Sequence, residues 1–251
     1  KKFIEVVDAI QPEVFVMENV PNLITSSDGY FFKEIKGFFN LLGYSINHKI
    51  LNAYDYGIPQ KRRRAFLIGN RISKKFIFPA EEYLKVNVEE AISDLPKLKS
   101  GEGKNFQDYS RLPKSNYQRM LRKKSKGIYN HIATNHSEGA LEKLSLIPPF
   151  GDKSNLPTQL RTKSIYSGTW GRIDPKGPSR TITTRFDTPS SGEFTLNKQD
   201  RCLTVREAAR LQSFSDKFIF YGNKSSQMKQ VGNAVPPLLA KKIGVEIAKL
   251  F

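Results

Sequence analysis

A carboxylate and an amide, Glu18 and Asn19, come directly after the apolar run Val14–Met17. This run is rich in β-branched residues and predicts a buried parallel strand with the two polar residues at its carboxyl end. Ligands of open α/β sheets bind beyond the carboxyl ends of the strands, so Glu18 and Asn19 are candidates for contact with a substrate. The segment Asn19–Asn22 also has the composition of a turn or a helix cap, and this alternative stays open.

A basic run, Gln60-Lys61-Arg62-Arg63-Arg64, leads into the apolar segment Ala65–Gly69. The apolar segment predicts a buried strand, and side chains two residues apart on a strand point to the same face. Arg62 and Arg64 would then form a fork of two guanidinium groups that fits a phosphate or the edge of a base. A solvated basic surface is the alternative.

Other residue types that often carry chemistry are few. Cys202 is the only cysteine, which excludes a disulfide and a cysteine-based zinc site within this chain. We expect it to be a small buried residue. His131 and His136 have no other candidate ligands nearby, so ordinary polar roles are favoured over a metal site.

The composition indicates a polyanionic partner. The chain has 251 residues, of which 38% are hydrophobic and 26% charged, as in globular proteins with a sizeable core. Its formal net charge of +17 favours nucleic acid over a membrane surface, although general solubility is an alternative explanation. No apolar run has the roughly 20 residues that span a bilayer, and we expect an intracellular protein that makes no membrane contact.

Helices and strands must position these candidate residues. Amphipathic spacing predicts a first helix through Phe3 and Ile10 and a second over about Tyr30 to Leu42. Alternating polarity predicts a strand over Tyr44–Leu51, before the strand at Ala65–Gly69. The order helix, strand, helix, strand, strand indicates part of a mixed α/β sheet.

The character of the chain changes near residue 100. A short helix is expected around Val88 to Leu95, and residues 101–178 are then polar, with scattered aromatic residues. These aromatic residues and the apolar segment Leu141–Ile147 would supply a small core, which favours a loop-rich second domain over disorder. Thr181–Arg185 is a strand candidate.

Two helices are expected near the end of the chain. Thr204 and Glu207 have the spacing of a capping box and predict a helix over Val205–Ser213. Gln230–Pro237 is expected to start the last helix, because prolines fit a first turn. Asn233 and the glycine before it would then lie just ahead of a helix N-terminus, a suitable place for a ligand carboxylate.

Four segments, in this order, resemble motif blocks of the cytosine-C5 DNA methyltransferases. They are Glu18-Asn19-Val20, the Gln-x-Arg-x-Arg block at 60–64 with its lead-in from Asn52, Arg201–Gln212, and Gln230–Val235. The resemblance implies an α/β fold, part of a Rossmann-like S-adenosylmethionine-dependent methyltransferase sheet with a second, smaller, loop- and strand-rich target-recognition domain. Residues 1–100 would be catalytic, 101–198 would recognise the target, and 199–251 would return to the catalytic domain.

The resemblance also implies a reaction, in which S-adenosylmethionine methylates C5 of a cytosine flipped out of double-stranded DNA while a cysteine thiolate is bonded to C6. Glu18 would hydrogen-bond N3 and the exocyclic amine of the base, and Asn19 would shape the loop beside it. Arg64 would contact the O2 edge, with Arg62 bracing the pocket or a phosphate. The methionine part of the cofactor would lie beside Asn233-Ala234.

Target recognition would fall to two loops, by the same resemblance. Thr181-Ile182 is similar to the family's Thr-Leu pair at the DNA backbone, and base-reading loops are expected at 166–172 and 185–192. Arg172 and Arg185 would each contact a guanine edge in the major groove or a phosphate.

The sequence departs from the family pattern in one large respect. The Pro-Cys nucleophile loop and the glycine-containing cofactor loop are absent, and both are expected upstream of Lys1, in an N-terminal half supplied by the same or another polypeptide. Cys202 does not match the nucleophile motif, because its neighbours are Arg201 and Leu203. Smaller departures are Ser215 and Arg180, each where proline is common.

Three explanations for this departure are open: a natural second subunit, a portion of a single-chain enzyme, and a DNA-binding remnant without catalysis. We favour a site-specific DNA (cytosine-5)-methyltransferase of a bacterial restriction–modification system, cytoplasmic and nucleoid-associated. The alternative is a non-catalytic, sequence-specific DNA-binding protein or specificity subunit. A binder would not need the cytosine pocket that Glu18, Arg64 and Asn233 imply. A tRNA-methylating relative is also conceivable, but the large polar region before Thr181 better suits DNA.

Overall fold

The computed structural model describes residues 2–72, 74–162 and 168–251. Its first part is a three-stranded sheet in the order β1–β3–β2, with β3 antiparallel to both neighbours. The strands are β1 (Val14–Asn19), β2 (Ser45–Asn52) and β3 (Arg63–Asn70). Every residue of β3 from Ala65 onward is buried, so the middle strand anchors the sheet.

Three helices accompany these strands: α1 (Lys2–Ile10), α2 (Asn22–Thr25) and α3 (Tyr30–Leu41). The two predicted helices correspond to α1 and α3, and the two predicted strands correspond to β2 and β3. All four are confirmed within a few residues. Phe15 packs on one face of the sheet, with its ring centroid 4.4 Å from that of Phe39. Phe66 and Ile68 pack on the other face, together with Leu239 and Ile243 of the C-terminal helix.

β1 differs from the predicted buried parallel strand. Among the described residues it pairs with β3 alone, in antiparallel register, so it is an edge strand. Phe15 is buried, but Val16 is 41% exposed. An apolar run indicates only that side chains have apolar surroundings. It carries no information on the direction of the neighbouring strand, so the parallel pairing predicted for β1 was not determined by the sequence.

The middle of the chain contains short elements: α4 (Val88–Ile92), β4 (Gly103–Gln107), α5 (Asn116–Arg122), β5 (Ile128–Ile132) and α6 (Glu138–Leu146). β4 and β5 pair antiparallel. The predicted strand at Thr181–Arg185 is wrong, because this segment forms no strand. Just before it, Ser179 makes an isolated bridge with Gln60.

The last elements are α7 (Val205–Leu211), α8 (Lys224–Asn233) and α9 (Pro237–Ala248). The capping box of α7 is confirmed, since Thr204 and Glu207 exchange hydrogen bonds between side chain and main chain. The predicted prolines in the first turn of the last helix are confirmed, but the predicted start of this helix at Gln230 is wrong. Asn233 ends α8, and α9 begins only at Pro237, because proline at 236 and 237 cannot donate the hydrogen bonds that would continue α8.

One hydrophobic cluster, the main core, joins the middle of the chain to its end. The main core consists of Val88, Ala91, Tyr117, Leu121, Ile173, Ile182, Phe186, Phe194, Leu196, Cys202, Leu203, Val205, Ala208, Ala209, Leu211, Phe214, Phe220, Met228 and Val231. Both predicted domain boundaries, near residues 100 and 198, therefore cross shared packing. A smaller cluster of Leu144, Ile147, Leu156 and Trp170 lies apart. The division into domains stays a prediction.

Buried charges surround α7. Arg210 binds both Asp94 and Asp216, and all three side chains are fully buried. Glu207 binds Arg201 through both carboxylate oxygens. Burial alone would raise the pKa of Glu207, but the charge and hydrogen bonds of Arg201 outweigh it and lower this pKa to about 2. α7 is thus fixed by ion pairs as well as by apolar packing.

No helix in the described part of the chain is long and apolar enough to cross a lipid bilayer.

Candidate active site and recognition segment

Glu18 and Arg64 meet at the carboxyl end of β1. The register places Glu18 opposite Phe66, and Arg64, two residues from Phe66, therefore points to the same face. Arg64 Nε lies 3.1 Å from Glu18 Oε1, and the two side chains are 18% and 23% exposed. Glu18 Oε1 is buried and makes no hydrogen bond to the described residues. The contact is thus an ion pair that leaves a buried acceptor for another donor.

Asn19 turns the chain after Glu18. Its side-chain Oδ1 accepts a hydrogen bond of 2.8 Å from the main-chain N–H of Val20. This hydrogen bond is compatible with both interpretations of Asn19, the turn and the loop-shaping role that the resemblance implies.

The Arg62 side chain is buried and binds main-chain groups. It is 2% exposed and donates to the carbonyl oxygens of Ile182, at 3.2 Å, and Gly232, at 3.0 Å. Burial, followed by the charge of Arg64, lowers the pKa of Arg62 to about 10, against the opposite effect of Glu18. The fork predicted for Arg62 and Arg64 is therefore not formed, and Arg62 braces the protein without reaching a phosphate.

Sequence reasoning assigned no role to Gln60 and Gln212, although both lie in the motif blocks. Gln60 Nε2 donates to Gln212 Oε1 at 3.1 Å, while Gln60 Oε1 accepts from the main-chain N–H of Ile182 at 2.8 Å. Gln212 Nε2 donates to the carbonyl of Val231 at 2.8 Å. Both amides are fully buried. We call Gln60, Arg62, Gln212 and their main-chain partners the central joint, because they hold β3, the 181–184 segment and α8 together.

Gly232 allows α8 to reach this joint. A Cβ atom at this position would lie 2.3 Å from the carbonyl oxygen of Thr183, a distance that no packed carbon atom tolerates. The next residue, Asn233, is exposed and Ala234 is half-buried. They lie at the C-terminus of α8, so the predicted carboxylate site before a helix N-terminus is wrong.

Gly232→Ala is expected to lower the free energy of unfolding by about 1–3 kcal/mol, because the added methyl group overpacks the contact with Thr183. Gly244→Ala is the matched control, since a Cβ there meets nothing within 4 Å and alanine suits the interior of α9. Chemical denaturation of both variants measures the difference. Equal stabilities would show that the α8 contact relaxes without cost.

Arg172 is inconsistent with its predicted contact to DNA. Its guanidinium donates to the carbonyls of Ile147 at 2.8 Å, Leu196 at 2.8 Å and Leu144 at 2.6 Å, and it pairs with Asp200. Only 6% of the residue is exposed. Its donors are occupied by the end of α6 and the neighbouring loop, so Arg172 has a structural role.

The Thr181-Ile182 pair is only partly exposed. Ile182 is fully buried in the main core, so its side chain cannot contact DNA as the resemblance implied. Thr181 is half-buried and donates from Oγ1 to the carbonyl of Lys61 at 2.7 Å. Arg185 is exposed. Of the predicted loop at 166–172, residues 166 and 167 lie outside the described residues.

Cys202 is a buried core residue, as predicted. It is fully buried, its Sγ lies 3.9 Å from Thr195 Oγ1, and burial raises the pKa of the thiol to about 12. His136 accepts the main-chain N–H of Cys202, and His131 lies 2.9 Å from both Thr204 Oγ1 and the carbonyl of Pro96. These groups have structural partners, and the Cys202 thiol is neither accessible nor ionised at neutral pH.

An apolar cleft of about 480 Å³ lies between α4 and the 196–199 loop. Its lining includes none of the predicted site residues, so we assign no role to it.

Comparisons with known proteins agree on one family. The model of a family described as C-5 cytosine-specific DNA methylase matches residues 1–249. The chain is 39% identical to the Type II methyltransferase M1.HphI of Haemophilus parahaemolyticus, over the whole chain and 60% of that protein. It is 34% identical to the Type II methyltransferase M.DdeI of Desulfomicrobium norvegicum, over 99% of the chain and 66% of that protein. The chain thus spans about two thirds or less of the length of these relatives.

The fold is similar to that of a solved structure from E. coli, described as a prophage-encoded DNA modification methyltransferase. The TM-score is 0.74 at 24% sequence identity, and the match covers 99% of this chain and 72% of the other. At this identity the likeness concerns the fold alone.

Proposed function

Because the chain belongs to the C-5 cytosine-specific DNA methylase family, we propose that it forms the base-pocket and target-recognition part of a site-specific DNA (cytosine-5)-methyltransferase. The substrate is a cytosine flipped out of double-stranded DNA. The observation that carries this proposal is the Glu18–Arg64 pair, in which a buried carboxylate oxygen without a hydrogen bond lies 3.1 Å from a guanidinium.

This pair suits the polar edge of cytosine. The Glu18 carboxyl group would hydrogen-bond the exocyclic amine and N3, and Arg64 would donate to O2. Negative charge moves toward N3 and O2 when a nucleophile adds to C6, so groups fixed at this edge stabilise the transition state more than the ground state. Arg62 adds a buried positive charge near the pair. The charges of Glu18 and Arg64 both shift the pKa of Arg62, which indicates that the three groups lie close together.

The family's cofactor, S-adenosylmethionine, supplies an electrophilic methyl group when bound. In this chain Asn233 and Ala234 are the residues proposed to lie beside its methionine part. The exposed amide of Asn233 fits such a role. The C-terminus of α8 carries partial negative charge, which favours the ammonium of the methionine part over its carboxylate.

We propose that the nucleophile comes from another segment. Cys202 is fully buried with a raised pKa, and the chain covers 60% of M1.HphI. The edge of β1 that pairs with no strand among the described residues suits pairing with such a segment, and Val16 of this strand is 41% exposed. The opposite edge strand, β2, carries the exposed polar residues His48 and Lys49, which discourage edge-to-edge pairing.

Double-stranded DNA is the proposed partner, and the charge of +17 favours binding to its phosphates. Because both relatives described above are named Type II methyltransferases, we place the chain in a restriction–modification system. The second candidate function is a non-catalytic DNA-binding protein or specificity subunit. It is favoured by the burial of the only thiol, Cys202.

Methyl transfer from labelled S-adenosylmethionine to a mixed-sequence duplex tests the proposal. We expect no transfer by the chain alone and transfer when the polypeptide encoded directly upstream is added. Cys202→Ala is the control, and it should leave the activity of the mixture unchanged. Transfer by the chain alone would overturn the structural role of Cys202. DNA binding by an inactive mixture would favour the specificity subunit.

A further inference from the structure

Arg180 and Glu193 form an ion pair in a cleft that is lined mainly by residues between 174 and 194. Arg180 Nε donates to Glu193 Oε2 at 2.7 Å. The cleft has a volume of about 690 Å³, and its lining also includes Lys61, Thr181 and Thr183. The Arg180 side chain is 53% exposed, and its terminal Nη groups have no hydrogen-bond partner among the described residues. These two groups are therefore available to a ligand that enters the cleft.

A glycine turn fixes the pair from behind. A Cβ atom at Gly168 would lie 3.2 Å from Arg180 Nε, and one at Gly171 would lie 3.0 Å from Glu193 Cγ. Gly168 also has a φ of +76°, in the left-handed region that favours glycine. The turn therefore packs closely against both charged side chains and leaves little space for a side chain at either glycine.

The pair also lies beside the described part of the first predicted base-reading loop and is close in sequence to the second. Gly168–Gly171 belongs to the first loop, at 166–172, and Arg180 and Glu193 flank the second, at 185–192. The two loops are separate in sequence. The contacts of Gly168 and Gly171 with the ion pair bring the first loop close to the residues that flank the second.

The chemistry of the pair suits a base edge better than a phosphate. Glu193 neutralises the charge of Arg180 and would repel a phosphate, whereas Lys61 and Arg185 are exposed cations without a carboxylate partner among the described residues. Two guanidinium N–H groups fit the O6 and N7 acceptors of guanine, and a carboxylate accepts from the N4 amine of cytosine. These atoms lie side by side in the major groove of one G·C base pair.

We propose that Arg180 and Glu193 together read one G·C base pair of the DNA target. The proposal rests on the proposed function, because it requires that the chain binds duplex DNA. In this arrangement the Nη groups of Arg180 donate to guanine, and Glu193 Oε1 accepts from the paired cytosine. Glu193 Oε2 keeps Arg180 in place through the hydrogen bond to Nε.

Selection from a random-sequence duplex library, followed by sequencing, tests this proposal with the complete enzyme. We expect the unaltered protein to enrich one sequence motif. Arg180→Ala should lower the preference for G·C at a single position of that motif by about 10-fold or more and leave the other positions unchanged. Glu193→Gln should weaken the preference at the same position. Lys176→Ala is the control, because Lys176 is an exposed, ion-paired cation outside this cleft.

A phosphate contact predicts a different result. Arg180→Ala would then weaken binding to all sequences alike and reduce the salt slope by about 1, and Glu193→Gln would strengthen binding to all sequences. That result, or an unchanged motif, would overturn the base-pair reading while the proposed function stands. A protein that enriches no sequence would overturn both. Thermal melting should show all three variants folded, because the altered side chains lie at the surface.

Discussion

Glu18→Ala should slow methyl transfer by the complete enzyme by about 10²- to 10³-fold, the usual effect of removing one group that stabilises charge in a transition state. Duplex binding should stay within about twofold, because Glu18 adds a negative charge and no contact to phosphates. The substitution leaves Arg64 without its partner at 3.1 Å, so the base would lose both its amine acceptor and the fixed position of its O2 donor.

Glu13→Ala provides a matched control for this result. Glu13 is an exposed carboxylate just before β1, at the opposite end from Glu18, so its loss removes the same charge at a distance from the proposed pocket. Single-turnover methylation rates and duplex dissociation constants should be measured for both variants. Equal losses of rate and binding for Glu18→Ala would contradict the assigned role.

Asp216→Ala should lower the free energy of unfolding by about 3–5 kcal/mol, the range for breaking a buried ion pair on one side. Asp216 accepts hydrogen bonds from Arg210 at 2.6 and 2.9 Å and from Tyr109 at 2.7 Å, and it lies 3.8 Å from Arg206. Without it, Arg210 would keep only Asp94 as a carboxylate partner, and the fully buried guanidinium of Arg206 would lose its ion pair. Such uncompensated charge is costly where water cannot reach it.

The control for this variant is Glu246→Ala, which removes a carboxylate from the surface pair with Lys249. Its effect should be below about 1 kcal/mol, as for most exposed pairs. Urea denaturation of both variants measures the difference. A loss in Asp216→Ala no larger than in the control would mean that the buried cluster adjusts to a missing carboxylate.

Local patterns in the sequence were sufficient to predict many elements. The spacing of apolar residues predicted α1 and α3, and Thr204 with Glu207 predicted the start of α7, because these signals depend on neighbours within a few positions. The order of the motifs predicted that Glu18 and Arg64 belong to one site, but it did not predict that the two side chains contact each other. Their contact depends on the register of β1 and β3, which no local signal specifies.

Two of the errors share a physical cause, since each involves a partner distant in the chain. Thr181–Arg185 has strand-forming residues, but the amide N–H of Ile182 binds the side chain of Gln60 instead of a neighbouring strand. Arg172 has the charge of a DNA contact, but the carbonyls at the end of α6 occupy its donors. Composition indicates which groups need a partner and does not say where that partner lies.

The central joint has a consequence for how new specificities arise. Its side chains bind only main-chain groups of the neighbouring segments. Gln60 and Arg62 bind the N–H and the carbonyl of Ile182. Gln212 and Arg62 bind the carbonyls of Val231 and Gly232 in α8. Every amino acid offers the carbonyl and all except proline offer the N–H, so other substitutions in the adjoining loops leave these hydrogen bonds available. The connection therefore depends on few side chains, and we expect the adjoining loops to accept changes of sequence without loss of the hydrogen bonds that join the start of β3, Ile182 and α8.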